Sequence, residues 1–264
     1  MASATARDDL DLLIDAVREA GTLAMRHFRT DVKTWTKGED DPVTEADIAV
    51  NKMLFQRLRE AQPAYGWLSE ETEDNDERLD CARLWIVDPI DGTRAFIEGR
   101  AEFTIAAAMV DQGRPRAAAV FNPATDELFD AIEGGGARLN GEAISVSARD
   151  TFDDAHILAS SRTVLRAIQR MADKPVTYDI VNSIAFRISL VAAGRFDATF
   201  SLGAKSDWDL AAADLIVQEA GGRLSDVEGG AFTYNSRRAR HPSVLAAGPA
   251  MHDALREVIA GIDW

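Results

Sequence analysis

The stretch Leu84-Trp85-Ile86-Val87-Asp88-Pro89-Ile90-Asp91-Gly92-Thr93 constrains this chain more than any other. Four consecutive apolar residues read as a strand buried in a core, so Asp88 emerges at that core's edge. Pro89 imposes a turn, after which Asp91 can point back toward the side of Asp88. Gly92 permits a tight backbone, and Thr93 can begin a helix. Two carboxylates, a carbonyl between them and a helix start make an oxygen-rich pocket of the kind that hard cations such as Mg²⁺ choose. The helix start also offers backbone N–H groups to a phosphate oxygen. Spacing alone leaves this reading and a purely structural turn both open.

Around that stretch the apolar spacing predicts an amphipathic helix over residues 8–28 through Leu13, Val17, Ala20, Ala24 and Phe28. A polar loop over 30–42 and a second helix over 45–61 follow. Strands are expected at 66–69 and 84–87, then an antiparallel meander at 103–110, 116–121 and 127–131, closed by glycine turns at 134–136 and 140–141. The acidic run 71–80 reads as a solvated loop. After about Ser147 the pattern changes to a strand at 156–160, helices at 162–171 and 183–193, a strand at 196–200 and an apolar helix at 210–220 stopped by Gly221-Gly222. A strand at 244–247 and a terminal helix from 250 complete the chain. We expect two parts, 1–148 carrying most candidate metal ligands and 149–264 completing the metal and substrate site.

The net charge of −15 argues against nucleic-acid polymers and anionic membranes as partners. A site for an anionic phosphate on so acidic a chain needs local positive charge, and bound cations can supply it. Cys81 is the single cysteine, so no intrachain disulfide forms, which fits a reducing cytoplasm. The first residues lack the basic-then-apolar pattern of a signal peptide, and no apolar run is long enough to cross a bilayer. A cytoplasmic location is therefore expected. The four histidines are scattered and form no metal-binding pair.

Other acidic residues recur where elements end. Asp47 opens the second helix, Glu70 and Glu71 close a strand, and Asp209 follows Trp208 at the start of the apolar helix. Individually each is explained by helix capping or turn chemistry. Together they fall in motifs. Asp41-Pro42-Val43-Thr44-Glu45-Ala46-Asp47, Ser69-Glu70-Glu71, Trp85 through Thr93, and Trp208-Asp209-Leu210-Ala211-Ala212 through Glu219-Ala220-Gly221-Gly222 occur in order. In this order they resemble the inositol monophosphatase family, lithium-sensitive Mg²⁺-dependent phosphatases, over nearly the whole chain. Ser69 replaces the glycine of the family's G-E-E element.

The resemblance implies an α+β fold, an alternating α/β/α/β/α layered sandwich of the inositol monophosphatase and fructose-1,6-bisphosphatase type, and a homodimer. It implies a metal-dependent phosphoric monoester hydrolase using two or three Mg²⁺. Glu70, Asp88 and the Ile90 carbonyl would hold the first ion, and Asp88, Asp91 and Asp209 the second. Glu70, with the loop before Asp47, would help hold a weaker third. Thr93, hydrogen-bonded to Asp47, would assist Glu70 in activating water. The Gly92 and Thr93 amides would bind phosphate.

The ester is less constrained. Animal inositol monophosphatases carry a carboxylate shortly after the strand that ends here at Phe200, where this chain has Ser201 and Leu202. The stretch from Ser183 and the spacing from Gly203 to Asp209 are closer to bacterial 3'(2'),5'-bisphosphate nucleotidases. On that resemblance Arg187 or Lys205 faces a second phosphate, a task suited to a guanidinium, and Ser183 joins Asp91, Gly92, Thr93 and Asp209 around the substrate. Inositol 1-phosphate, histidinol phosphate and fructose 1,6-bisphosphate are the alternatives. A binding or regulatory protein on the same fold is the alternative of another class.

Overall fold

A computed structural model describes residues 4–37, 42–159 and 162–262. In chain order the elements are α1 (Ala4–His27), β1 (Thr34–Thr36), β2 (Pro42–Thr44), α2 (Glu45–Ala61), β3 (Gly66–Ser69), a 3₁₀ turn (Asp76–Asp80), β4 (Arg83–Asp91), α3 (Thr93–Ile97), β5 (Thr104–Asp111), β6 (Arg114–Asn122), β7 (Glu127–Ile132), β8 (Ala137–Leu139) and β9 (Glu142–Ala143). There follow β10 (His156–Ala159), α4 (Arg162–Met171), β11 (Thr177–Asp179), α5 (Ile184–Ala192), β12 (Ala198–Ser201), β13 (Lys205–Ser206), α6 (Asp207–Glu219), β14 (Arg223–Ser225), β15 (Arg240–His241), β16 (Val244–Ala247) and α7 (Pro249–Ala260).

Strands β3 to β9 form one seven-stranded sheet in sequence order, and a five-stranded sheet runs β11-β10-β12-β16-β14. Alternation along the central strands assigns each residue to one of two cores. Trp85, Val87, Ile105, Ala107, Met109, Ala117, Ala119 and Phe121 pack toward α1 and α2. Their neighbours Leu84, Ile86, Ala106, Ala108, Val110, Ala118 and Val120 pack toward α5 and α6. The second sheet repeats the device. Leu158, Val244 and Ala246 face α5 and α6, while Ile157, Ala198, Phe200, Leu245 and Ala247 face α4 and α7. The result is the expected α/β/α/β/α layered sandwich, and double-sided burial is why its strands read as continuous apolar runs. Among the described residues no helix is long and apolar enough to cross a membrane.

The structure corrects several local expectations. Strand β4 does not stop at Val87 but runs through Pro89 to Asp91. The loop over 30–42 contains β1, which pairs antiparallel with β2. Asp41 of the first motif lies outside the described residues, as does Ser160 of the strand expected at 156–160. The acidic run is not simply solvated: Asp74 grips the buried Arg78 of the 3₁₀ turn through two hydrogen bonds of 2.6 and 2.9 Å.

Candidate metal centre

The extension of β4 carries the key geometry. In an ordinary strand, residues three apart point to opposite faces. Here Asp88 pairs with Ala106 and Asp91 with Thr104, so β4 spends three residues where β5 spends two. One extra residue is a β-bulge, and it returns Asp91 to the side of Asp88. Gly92 then adopts φ +96°, which favours glycine, and leads into the five-residue helix α3. From the far end of the chain, α6 delivers Asp209. One carboxylate oxygen from each of Asp88, Asp91 and Asp209 lies within 4.8 Å of the others.

Each acid is held by its own local device. Asp91 Oδ2 accepts from the Ser183 hydroxyl and the Ala185 amide, both at 2.6 Å, at the start of α5. Ser183 is itself 3.1 Å from Thr104 Oγ1. Asp209 Oδ2 accepts the Ser206 amide at 2.6 Å. Asp47 Oδ2 accepts the Thr44 amide at 2.8 Å and the Thr44 hydroxyl at 2.5 Å. Asp47 and Asp209 are thus the third residues of two capping boxes, a motif that orients an acidic side chain at a helix start. The Thr93 hydroxyl sits 3.2 Å from Asp47 Oδ1 and 3.0 Å from the Ile90 carbonyl. Glu70 follows β3, and Lys37 stands 3.5 Å from it and pairs also with Glu71.

This convergence is electrostatically unfavourable as it stands. Burial, then the charges of Glu70, Asp91 and Asp209, pushes the Asp88 carboxyl well above the ordinary range. Burial and then Asp91 push Asp209 up to about 7. Burial also raises Asp91, against the bonds from Ser183 and Ala185. Asp88 Oδ1 is buried with no hydrogen-bond partner. A buried carboxylate oxygen without a donor is costly unless a cation meets it. The donor set is all oxygen, and no histidine or thiol is among the clustered acids, which suits Mg²⁺ rather than a softer metal.

The profile of the inositol monophosphatase family matches residues 6–260. The chain belongs to the inositol monophosphatase family. It is 35% identical over 260 residues to an inositol-1-monophosphatase of Rhizobium meliloti (strain 1021), covering 95% of each chain. It is 34% identical over 233 residues to the Nus factor SuhB of Escherichia coli (strain K12), covering 84% of this chain and 86% of that one. The solved extragenic suppressor protein SuhB of Bartonella henselae superposes with a TM-score of 0.85 at 30% identity, covering 97% of this chain and 100% of that one. By family this protein is a metal-dependent hydrolase of phosphoric monoesters, and the family's metal is Mg²⁺.

Within this member of the inositol monophosphatase family, Asp88, Asp91 and Asp209 converge, the charge of Glu70 is felt at Asp88, and Thr93 links Asp47 to the Ile90 carbonyl. Two residues read as substrate contacts make their hydrogen bonds to the protein itself. Ser183 is fully buried and spends its hydroxyl on Asp91, so it orients a candidate ligand. Arg187 is buried in α5, where Nε donates to Thr199 Oγ1 at 3.0 Å and an Nη to the Phe200 carbonyl at 2.7 Å. Two of its donors bond within the protein, and burial draws it down to about 10, against the charge of Asp91. Lys205 remains half-buried beside Asp91 and Asp209.

Sequence reasoning missed the residues that fix these acids in place. Asn51 bridges the Ser69 hydroxyl, the Glu71 carbonyl and Thr72, and so holds the loop after Glu70. Arg78 donates to Asn235 Oδ1 at 2.7 Å and the Ser236 carbonyl at 3.1 Å. Asn235 in turn donates its amide to Asp207 Oδ2 at 2.7 Å, and the buried His241 meets Asp207 Oδ1 at 2.8 Å. That chain of bonds ties the Glu70 loop to the start of α6, two residues before Asp209. The two S/T-x-x-D boxes were visible in the sequence, but no local pattern announces Arg78 or Asn235.

Proposed function

We propose that this chain is a Mg²⁺-dependent phosphomonoesterase acting on a small soluble phosphorylated metabolite. The observation that carries the reading is the unpartnered Asp88 Oδ1 at the meeting point of carboxylates drawn from β4 and α6, with the charge of Glu70 acting on it. Glu70, Asp88 and the Ile90 carbonyl are assigned to one ion, Asp88, Asp91 and Asp209 to a second, and Glu70 to a weaker third. Bound there, Mg²⁺ supplies Lewis-acid charge for the phosphoryl oxygens and makes water easier to ionise.

The chain's own residues do the rest. Thr93 has one hydroxyl proton and two acceptors, Asp47 and Ile90. Donating it to Asp47 turns the oxygen lone pairs outward, ready to accept from the attacking water while Glu70 takes the proton. Gly92 and Thr93 place their amides at the first turn of α3 for a phosphate oxygen. With only five residues α3 has little macrodipole, so the amides themselves are the donors.

For the ester, 3'-phosphoadenosine 5'-phosphate is the first candidate and inositol 1-phosphate the second. Ser201 and Leu202 stand where an inositol-contacting carboxylate was expected, and Lys205 lies beside Asp91 and Asp209. Arg187 gives the nucleotide weaker support, because it is buried and two of its donors go to β12, although its charge still reaches Asp91. The Rhizobium relative keeps inositol 1-phosphate in the panel, with histidinol phosphate and fructose 1,6-bisphosphate beyond it. The deciding experiment is phosphate release from this panel with and without Mg²⁺, for the wild type and Asp88→Asn. No metal-dependent turnover of any ester would favour a non-catalytic role, as the name of the Escherichia coli relative allows. Lithium inhibition, a homodimer, a cytoplasmic location and subdomains at 1–148 and 149–264 complete the proposal.

A further inference from the structure

Strand β3 is an edge strand of the seven-stranded sheet, with β4 beside it on one side only. In a parallel strand, alternate residues turn their main-chain groups to one neighbour and then to the other. The Glu70 amide reaches the Val87 carbonyl at 3.4 Å, so Leu68 and Gly66 also face β4. Tyr65, Trp67 and Ser69 therefore face outward. The Tyr65 carbonyl accepts from Arg59, and the Ser69 carbonyl accepts the Thr72 amide at 3.4 Å. Between them, the N–H and C=O of Trp67 have no partner among the described residues. Such a pair on a sheet edge is a template for another strand.

A cleft of about 320 Å³ runs along this edge, lined by Phe55 and Arg59 of α2 and by Glu73, Glu77 and Cys81 around the 3₁₀ turn. Phe55 is 41% exposed, and its ring meets the Trp67 ring edge-on at 5.2 Å. Trp67 packs on the α1 and α2 side of the sheet, and its neighbour Leu68 on the other. Cys81 stands on that other side, where a Cβ added to Gly66 would lie 3.1 Å from its own, and its Sγ reaches the Glu77 carbonyl at 3.6 Å. The two arginines that line the cleft are committed elsewhere, Arg59 to the Tyr65 carbonyl and Arg78 to Asp74, Asn235 and Ser236. Glu73 and Glu77 are exposed, and among the described residues neither makes an ion pair. The lining is thus an apolar wall, an open main-chain pair and two uncompensated acids.

We infer that this cleft docks an extended segment of a partner protein, an apolar residue flanked by basic ones, added antiparallel to β3. One residue of such a segment exchanges both hydrogen bonds with Trp67, the closely spaced pair of an antiparallel ladder. Its side chain then stands on the Trp67 face, against Phe55, where an apolar group fits. The residues on either side of it point to the opposite face, toward Glu77, where Lys or Arg fits. The net charge of −15 draws a basic segment in from a distance as well. This docking surface makes no use of the clustered acids, so the inference goes beyond the phosphomonoesterase reading and does not depend on it.

The test titrates the ¹⁵N-labelled full chain with the peptide Ac-Lys-Val-Lys-NH₂ and follows the Trp67 amide by NMR. In the free protein that amide should exchange with solvent faster than the Leu68 amide, which faces β4. The peptide should shift it downfield and slow its exchange. N-methylation of the valine removes one of the two bonds and should weaken binding about tenfold or more. Glu73→Gln/Glu77→Gln should weaken the lysine peptide about threefold to tenfold and leave Ac-Thr-Val-Thr-NH₂ unmoved. Glu142→Gln, an exposed acid on the opposite edge strand, should change neither. Phe55→Ala should weaken both peptides, and lysine amide alone should leave the Trp67 amide where it is. Equal binding of the methylated and unmethylated peptides reduces the effect to charge attraction and overturns strand addition. A free-state Trp67 amide as protected as that of Leu68 overturns it too. No shift at Trp67 with any of the peptides at about 10 mM overturns the docking site itself. Phosphate release enters none of these measurements, so each outcome leaves the phosphomonoesterase reading to its own test.

Discussion

Arg78 offers the sharpest test of how the site is held together. Its side chain is 1% exposed and joins Asp74, Asn235 and the Ser236 carbonyl. Asp74 is 45% exposed, so water screens that ion pair and its share is discounted to about 1 kcal/mol. The two bonds to Asn235 and Ser236 are part-buried, and losing each costs about 1–1.5 kcal/mol. Arg78→Met, which keeps much of the stem's packing, should therefore destabilise the protein by about 3–4 kcal/mol. For a chain of 264 residues that is a fall in Tm of roughly 6–15 °C. The functional consequence is separable. Because Arg78 joins the Glu70 loop to the segment carrying Asp209, its loss lets the two drift apart, and the Mg²⁺ concentration for half-maximal phosphate release should rise about tenfold or more. The assay is a Mg²⁺ titration run well below the variant's Tm, alongside calorimetric melting. Arg78→Lys keeps the charge but not the fork, and should fall between wild type and Arg78→Met. A variant that melts lower yet keeps the wild-type Mg²⁺ midpoint would refute the claim that this bridge sets the spacing of the acids.

Three further outcomes concern other groups. Asp88→Asn should lower kcat/KM by more than about a hundredfold, yet in chelator it should melt above wild type, because it removes an unpaired buried charge. The rise in Tm that Mg²⁺ gives the wild type should vanish in that variant, as differential scanning fluorimetry can show. Gly92→Ala should destabilise and inactivate, because its Cβ would lie 2.8 Å from the Glu102 carbonyl at φ +96°; circular dichroism and phosphate release check the two effects. Asp214, buried in α6 and bonded to Tyr234 and Gln218, has its carboxyl pushed up by burial to about 6 from 3.8. Its folded pKa is the higher, so its favourable contribution is complete below about pH 4 and is lost as pH rises through about 6, about 3 kcal/mol in all. The stability of Asp214→Asn relative to wild type should therefore climb across that window, and parallel Tm profiles from pH 4 to 7.5 would dismiss the idea.

Much of the fold was legible because burial on both faces writes long apolar runs. The helix over 45–61 and the strand at 66–69 match α2 and β3, and the meander strands are off by a residue or two at their ends. Short strands escaped notice because they carry no periodicity: β13 and β15 hold two residues each and exist through a single long-range pairing. The acidic residues were legible as motifs, but the bulge between Asp88 and Asp91 was read as a proline turn. A bulge depends on the register with the partner strand, and no residue pattern within 88–91 states that register. The internal hydrogen bonds of Arg187 and Ser183 escaped notice for a related reason. Helix α5 is buried on every side, so polar residues on it serve the interior, and sequence alone gave no outward face to exclude.

Helices α5 and α6 are covered by one sheet on each side, and the sheets come from opposite halves of the chain. A chain cut near residue 148 would leave the first sheet with a bare apolar face and the second half without a floor to rest on. The two sheets share one floor, and the packing that joins them is also what holds Asp209 against Asp88. Without that packing the three acids have no common ligand set, so metal affinity is tied to the integrity of the whole chain and not to one segment of it.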